Sequence, residues 1–407
     1  MENVPPPDQD GRVSAATIGR EPEISPTPVP ILDFKRQYAA IGPELLASVE
    51  QVIASQHFIL GEQVGQFEQE AARFCQARHG IGCSSGTDAL WLAFAAAGIG
   101  SGDAVITTPF SFFASVSSIL RAGARALLAD IDPWTFNLDP TAVEAVLRKT
   151  SKSNIKAVLP VHLYGQIVDW DRFDQVKSNF DVLLIEDAAQ AFGATWDGRP
   201  AGSLGDLAAF SFYPTKNLSA CGDAGMVSTN DDRLAERARM LRAHGMRRRY
   251  YHDEIGWNCR LDTLQAAVLL VKLKYIALWN ERRRTVAAEY GRLFAAAGLA
   301  EPGPYPQNGI VLPFSHPRAR HVFHQYVIRV RRRDELRAFL KAREIGSEIY
   351  YPVPLHLQES LKDLGYQSGD FPESERAARE VLALPMFPEL TLEEQEIVVS
   401  GISEFLA

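Results

Sequence analysis

Apolar positions along this chain keep two rhythms. From Ile31, PELLASVEQVIAS and GEQVGQFEQEAARFCQA repeat apolar residues at helical spacing. Short apolar runs then alternate with amphipathic stretches: GIGCSS before DALWLAFAAAG, DAVITT before SFFASVSSILRAG, ARALLAD before PTAVEAVLRK, and IKAVLPVHLYG before DWDRFDQVKS. DVLLIEDA, LAAFSF and GMVST add three more strand-like runs. Such alternation predicts an α/β fold, a mainly parallel sheet with helices on both faces. Ligands in such sheets sit at the carboxyl ends of the strands. Residues 261–298 read as a long helix with a break. Beyond it the pattern predicts a strand in HVFHQYVIRV, a helix in RDELRAFLKAREI and a strand in SEIYYP. The expected division is a disordered proline-rich tail over 1–30, a large domain over 31–284 and a smaller α+β domain over 285–407.

Composition narrows the class. At 46% hydrophobic and 23% charged, the 407 residues have the balance of a soluble globular protein. A net charge of −8 argues against nucleic acid or an anionic membrane as partner. The longest small-and-apolar run, ALWLAFAAAGIG, is too short to span a bilayer. The first thirty residues hold seven prolines and no apolar core of a secretion signal. The four cysteines form no C-x-x-C pair, so free thiols in a reducing cytoplasm are expected and no metal site.

Candidate chemistry gathers at the strand ends. CSSGTDAL sets Ser84, Ser85, Gly86 and Thr87 just before a helix. Glycine permits close backbone approach, and first-turn amides suit a phosphate; an ordinary Ser/Thr cap explains the same residues. TTPFSFFAS offers Phe112 and Phe113 as a platform for a flat ring, or as core. In LLIEDAAQAFG an apolar run ends in Glu186 and Asp187, and a carboxylate there needs a partner or a task. It pairs with a protonated heterocycle nitrogen, or it caps a helix or forms a structural ion pair. Gln190 follows three residues after Asp187. In LAAFSFYPTKN, Pro214 ends the strand and presents Lys216 from a turn, with Ser211 facing the same way. A lysine amine condenses with an aldehyde once burial or a nearby cation lowers its pKa; a solvated turn lysine explains the same position taken alone. A phosphate cradle, a ring platform, a strand-end carboxylate and a turn lysine are together what pyridoxal 5′-phosphate requires.

The motifs SSGTDAL, TPFSFFAS, VHLYGQ, IEDAAQAFGA, GDLAAFSFYPTKNL, GDAGMVSTND and GWNCRLDTLQAAVL give the chain its family likeness. It resembles the nucleotide-sugar aminotransferases of the DegT/StrS group over nearly everything from Ile31 onward. The resemblance implies a fold-type I transferase dependent on pyridoxal phosphate. It also implies roles: Lys216 holds the aldehyde, Asp187 partners the pyridine nitrogen, and Gln190 lies near the ring hydroxyl. Gly86, Thr87 and Ser211 bind phosphate, Phe112 stacks on the ring, and Asn258 or Arg260 crosses a dimer interface to the neighbouring phosphate. A homodimer with shared active sites follows. One variant of the group carries histidine at the lysine position and dehydrates its substrate; Lys216 instead points to transamination, with L-glutamate as the group's usual amino donor.

For the acceptor, VHLYGQ is similar to members acting on dTDP-3-keto-6-deoxyhexoses, which makes His162 a substrate candidate; a hydrogen-bonded histidine under the sheet edge is the plainer account. YYPVPLHLQ adds Tyr351 and His356. HGMRRRYYHDEIG adds Arg247, beside Arg248, Arg249, Tyr250 and Tyr251, facing either a nucleotide diphosphate or water. The alternatives are amination of a cyclitol or other ring ketone, and a non-catalytic pyridoxal phosphate sensor or regulator. A nicotinamide dehydrogenase is opposed by GIGCSSG, whose glycines miss the dinucleotide spacing by one residue.

Overall fold

The computed structural model describes residues 28–150 and 154–407. Residues 1–27, most of the expected disordered tail, lie outside the described residues. The end of that stretch belongs to the fold: Val29 is buried and bridges in parallel to Ile345.

The strands are β1 (His79–Cys83), β2 (Asp103–Thr107), β3 (Arg125–Leu128), β4 (Asn154–Val158), β5 (Leu183–Asp187), β6 (Thr195–Trp196), β7 (Arg199–Pro200), β8 (Leu207–Ser211), β9 (Gly225–Thr229), β10 (Met246–Arg248), β11 (Tyr251–His252), β12 (Ala319–Arg320), β13 (Tyr326–Arg329) and β14 (Val381–Leu384). The helices are α1 (Phe34–Ser55), α2 (Glu62–Phe74), α3 (Gly86–Ala96), α4 (Ala114–Arg121), α5 (Pro140–Lys149), α6 (Trp170–Phe180), α7 (Asp232–Leu241), α8 (Thr263–Leu273), α9 (Ile276–Ala296), α10 (Arg333–Ala342), α11 (Pro372–Glu380) and α12 (Leu392–Leu406).

The main sheet has the order β1-β9-β8-β5-β4-β2-β3. Neighbours from β3 to β8 are parallel, and β9 alone runs against both of its neighbours. This is the mainly parallel mixed sheet that the alternating pattern implied. Its central strands read as apolar runs because helices cover both faces. Aspartates set several helix starts: Asp139 caps α5 ahead of Pro140, Asp231 caps α7 and Asp262 caps α8.

Two apolar cores meet along α9. Ile276 and Trp279 pack into the core of the large sheet. Val286, Ala287, Tyr290 and Phe294 pack into a second core with β13, β14, α10 and α12. The helix runs unbroken through residue 284, so we propose that the boundary between the two parts lies inside α9. The expected helix break falls at Lys274–Tyr275, between α8 and α9.

SEIYYP does not form the expected strand. Glu348 makes one bridge to Ala383, and the chain then leaves the sheet. Pro352 and Pro354 have no N–H with which to extend a ladder. The loop instead carries Tyr350 and Tyr351 toward the ends of the main strands, where the Tyr164 hydroxyl donates to the carbonyl of Tyr350.

Candidate active site

The carboxyl ends of β5 and β8 and the N-terminus of α3 converge. Successive strand residues face opposite sides, so Glu186 and Asp187 cannot share a role. Asp187 is buried, and its Oδ2 accepts from Ser115 Oγ at 2.7 Å. Ser115 Oγ is 2.8 Å from Ser111 Oγ, also buried. Oδ1 accepts from the Ala189 amide at 3.2 Å. Burial raises the proton affinity of Asp187 above the ordinary carboxylate value; Ser115, the Ala189 amide and the nearby Lys216 oppose that rise.

Lys216 follows β8 through a tight turn in which its own amide donates to the Tyr213 carbonyl at 2.8 Å. Burial pushes its ammonium down to about 8 from 10.5, while the charge of Asp187 pulls the other way. The next residue anchors the turn. Asn217 Nδ2 donates to Asn280 Oδ1 at 2.8 Å and to the Val322 carbonyl at 3.1 Å, and Asn217 Oδ1 lies 3.2 Å from His324 Nδ1.

The cradle is tight enough to require glycine. A Cβ on Gly86 would lie 2.5 Å from Ser211 Cβ, and one on Gly225 would lie 2.3 Å from the Ser85 carbonyl oxygen. Ser85 caps α3, accepting from the Asp88 amide at 3.0 Å, so Thr87 sits in the first turn. Gly86, Thr87 and Ser211 are therefore brought together at the N-terminus of α3, where first-turn amides suit an anion. This closeness fits the phosphate of pyridoxal phosphate.

Phe112 stands exposed at the entrance, its ring centroid 6.3 Å from that of Tyr351. Gln190 is locked at both ends: Oε1 accepts from the Tyr164 amide at 2.7 Å, and Nε2 donates to the Tyr351 hydroxyl at 3.1 Å. Lys216, Asp187, Gln190, Phe112 and Tyr351 thus form one cluster.

Other candidates fall elsewhere. His162 is fully buried beneath the sheet, with Nε2 3.0 Å from Glu186 Oε2, so it does not reach an open face for a sugar. Glu186 accepts as well from the amides of Gly202, Leu204 and Gly205. His356 is likewise buried, 3.1 Å from Glu375 Oε1 and edge-on to Phe371. Both histidines are thus placed against carboxylates in the interior, and for His162 this is the plainer of the two expected accounts. Arg247 lies on the exposed β10–β11 hairpin and pairs with Glu236 at 3.0 Å. Asn258 is exposed, bridging to Ala243 through its backbone. Arg260 lies beside the cradle of its own chain, bridging to Cys83, while the Ser84 amide donates to the Cys259 carbonyl at 3.1 Å.

Sequence reasoning missed Ser115 and Asn217. Ser115 lies three residues after Phe112, one helical turn on, and Asn217 directly follows the lysine; those spacings were the available signal.

The family model described as DegT/DnrJ/EryC1/StrS aminotransferase family matches residues 39–403. A pleiotropic regulatory protein of Geobacillus stearothermophilus is 48% identical, covering 93% of this chain and 98% of the relative. A dTDP-3-amino-3,4,6-trideoxy-alpha-D-glucose transaminase of Streptomyces venezuelae is 40% identical over 93% of this chain and 96% of its own. The crystal structure of S. venezuelae DesV in complex with a ketimine intermediate superposes with a TM-score of 0.87 at 40% identity, covering 93% of this chain and 98% of that one.

Proposed function

This chain belongs to the DegT/DnrJ/EryC1/StrS aminotransferase family, and from that premise we propose that it transfers an amino group from L-glutamate to a nucleotide-linked keto-sugar, using pyridoxal 5′-phosphate. The observation that carries the reading is a half-buried lysine and a buried carboxylate brought into one cluster at the strand ends, near enough for the charge of Asp187 to act on Lys216.

When bound, the cofactor supplies an aldehyde for the amine and a ring that withdraws electrons from the adjacent carbon. The protein's residues do the rest. Lys216 Nζ anchors the aldehyde, then moves a proton at the reacting carbon as acid and base. Asp187, fixed by Ser115 and the Ala189 amide, keeps a proton on the ring nitrogen. The first turn of α3, with Ser211, takes the phosphate, and Phe112 covers the ring. Gln190 orients Tyr351 over the same opening. Donor and acceptor use this one site in turn, which gives ping-pong kinetics.

The dTDP-linked 3-keto-6-deoxyhexose is the acceptor we favour, on the strength of the transaminase relative. A homodimer completes the site in our reading. Tyr250, Ile255 and Trp257 are exposed around Arg247 and Asn258, as a surface made for a second copy would be. No helix among the described residues is long and apolar enough to cross a membrane; we place the enzyme in the cytoplasm.

The name of the Geobacillus relative favours a second reading, a pyridoxal phosphate regulator without turnover. Incubating the yellow protein with L-glutamate and a panel of dTDP-, UDP- and GDP-linked keto-sugars separates the two. The transaminase reading expects bleaching, 2-oxoglutarate and an amino-sugar by mass spectrometry. Retained colour with every amino donor contradicts it and supports the regulator.

A further inference from the structure

Helix α9 sets one buried side chain against both segments that carry the candidate chemistry. Asn280 stands where the helix passes from the first core, reached by Trp279, to the second, reached by Val286. It is 3% exposed. Its Oδ1 accepts from Asn217 Nδ2 at 2.8 Å, and its own Nδ2 donates to the Phe192 carbonyl at 3.0 Å. Asn217 directly follows Lys216, and Phe192 closes the stretch that begins with Asp187 and includes Gln190. One amide therefore spans the lysine turn and the carboxylate segment.

Neither arm has slack. A Cβ on Gly193 would lie 2.5 Å from Asn280 Nδ2, and the φ of +88° there suits glycine, so the chain after Phe192 closes tightly on the amide. Asn217 is buried too. With its Nδ2 hydrogens committed to Asn280 Oδ1 and the Val322 carbonyl, its Oδ1 is left to accept, 3.2 Å from His324 Nδ1. Burial and the charge of Lys216 keep His324 neutral, so its single ring proton lies on Nδ1, facing Asn217. Stability alone does not call for this network. A buried hydrogen-bonded pair replaced on both sides by apolar groups of the same shape can be nearly neutral. What satisfied buried amides add is one fixed geometry.

We propose that Asn280 is a positioning residue for amine transfer: acting through Asn217 and the Phe192 carbonyl, it sets where Lys216 stands relative to Asp187. The proposal rests on Lys216 as the anchor of the aldehyde. Failure of that reading would show separately, in wild-type protein, as borohydride label on another residue or on none.

The test is the rate at which full-chain apo-protein captures pyridoxal phosphate on Lys216, trapped with borohydride at short times and read beside the melting curve. Asn280→Leu keeps the side chain's size and removes both bonds. Capture should slow ~10-fold or more, since a 1 Å misplacement can cost ~10²-fold. The double variant Asn217→Leu/Asn280→Leu makes both partners apolar. Its melting should return toward that of wild type while capture stays slow, a split that a purely structural role would not produce. In the reloaded enzymes kcat falls with capture, and the KM values for L-glutamate and keto-sugar hold. Should Asn280→Leu alone melt without cooperativity, the double variant decides. The proposal is overturned if folded Asn280→Leu captures at the wild-type rate, if capture returns together with melting in the double variant, or if the KM values move and kcat does not.

Discussion

The two halves of the cleft are built differently. On the cofactor side, Asp187, Gln190 and the cradle of Gly86, Thr87 and Ser211 lie on or just past strand ends, with Asp187 and Gln190 held by named donors. On the side proposed for the acceptor, Tyr250 is exposed and Arg247 sits on the exposed β10–β11 hairpin. The first, closed half is held by contacts within one chain; the second, open half is exposed. Rigid chemistry needs fixed partners, whereas specificity can be carried by loops on that scaffold.

Lys216→Ala carries the largest expected effect on the closed half. It abolishes amine transfer and leaves the melting transition cooperative; turnover at the wild-type rate would remove Lys216 from the reaction. Asp187→Asn comes next. An amide cannot hold the ring proton by charge, so kcat should fall by ~10²-fold or more, and near-normal kcat would place the electron-withdrawing role elsewhere. On the open half, Arg247→Ala should raise the acceptor KM about tenfold while kcat stays level. Its ion pairs are surface pairs, worth about 0–1 kcal/mol, so melting should hardly change. An unchanged KM would assign the hairpin to solvent.

Ser115→Ala should be the mildest. Its hydrogen bond lowers the proton affinity of Asp187, so removing it raises that affinity further. The carboxylate must be ionised to work, so the acid limb of the kcat–pH profile should move to higher pH, and Ser115→Thr should restore it. An unmoved limb in Ser115→Ala would make Ser115 purely structural.

The closed half was also the legible half. An apolar run ending in a carboxylate, and a strand stopped by Pro214 just before a lysine, are patterns that burial and backbone chemistry make readable. Ser115 was not, because a serine at the start of a helix reads first as a cap. The partners of His162 and His356 were not legible, because sequence does not show which carboxylate lies opposite a histidine; the strand alternation that turns Glu186 away from Asp187 held the clue for His162. SEIYYP carried a strand's composition, and its prolines explain why the ladder stops.

The central claim is that the amine at position 216 is the covalent anchor, primed by burial. Apo-protein is mixed with pyridoxal phosphate across a pH series, reduced with borohydride at short times, and its labelled peptide mapped. The account predicts label on Lys216, with a capture rate that grows as the amine loses its proton and reaches half-maximum near pH 8. Label on another residue, or a half-maximum near the 10.5 of an ordinary lysine, would contradict it.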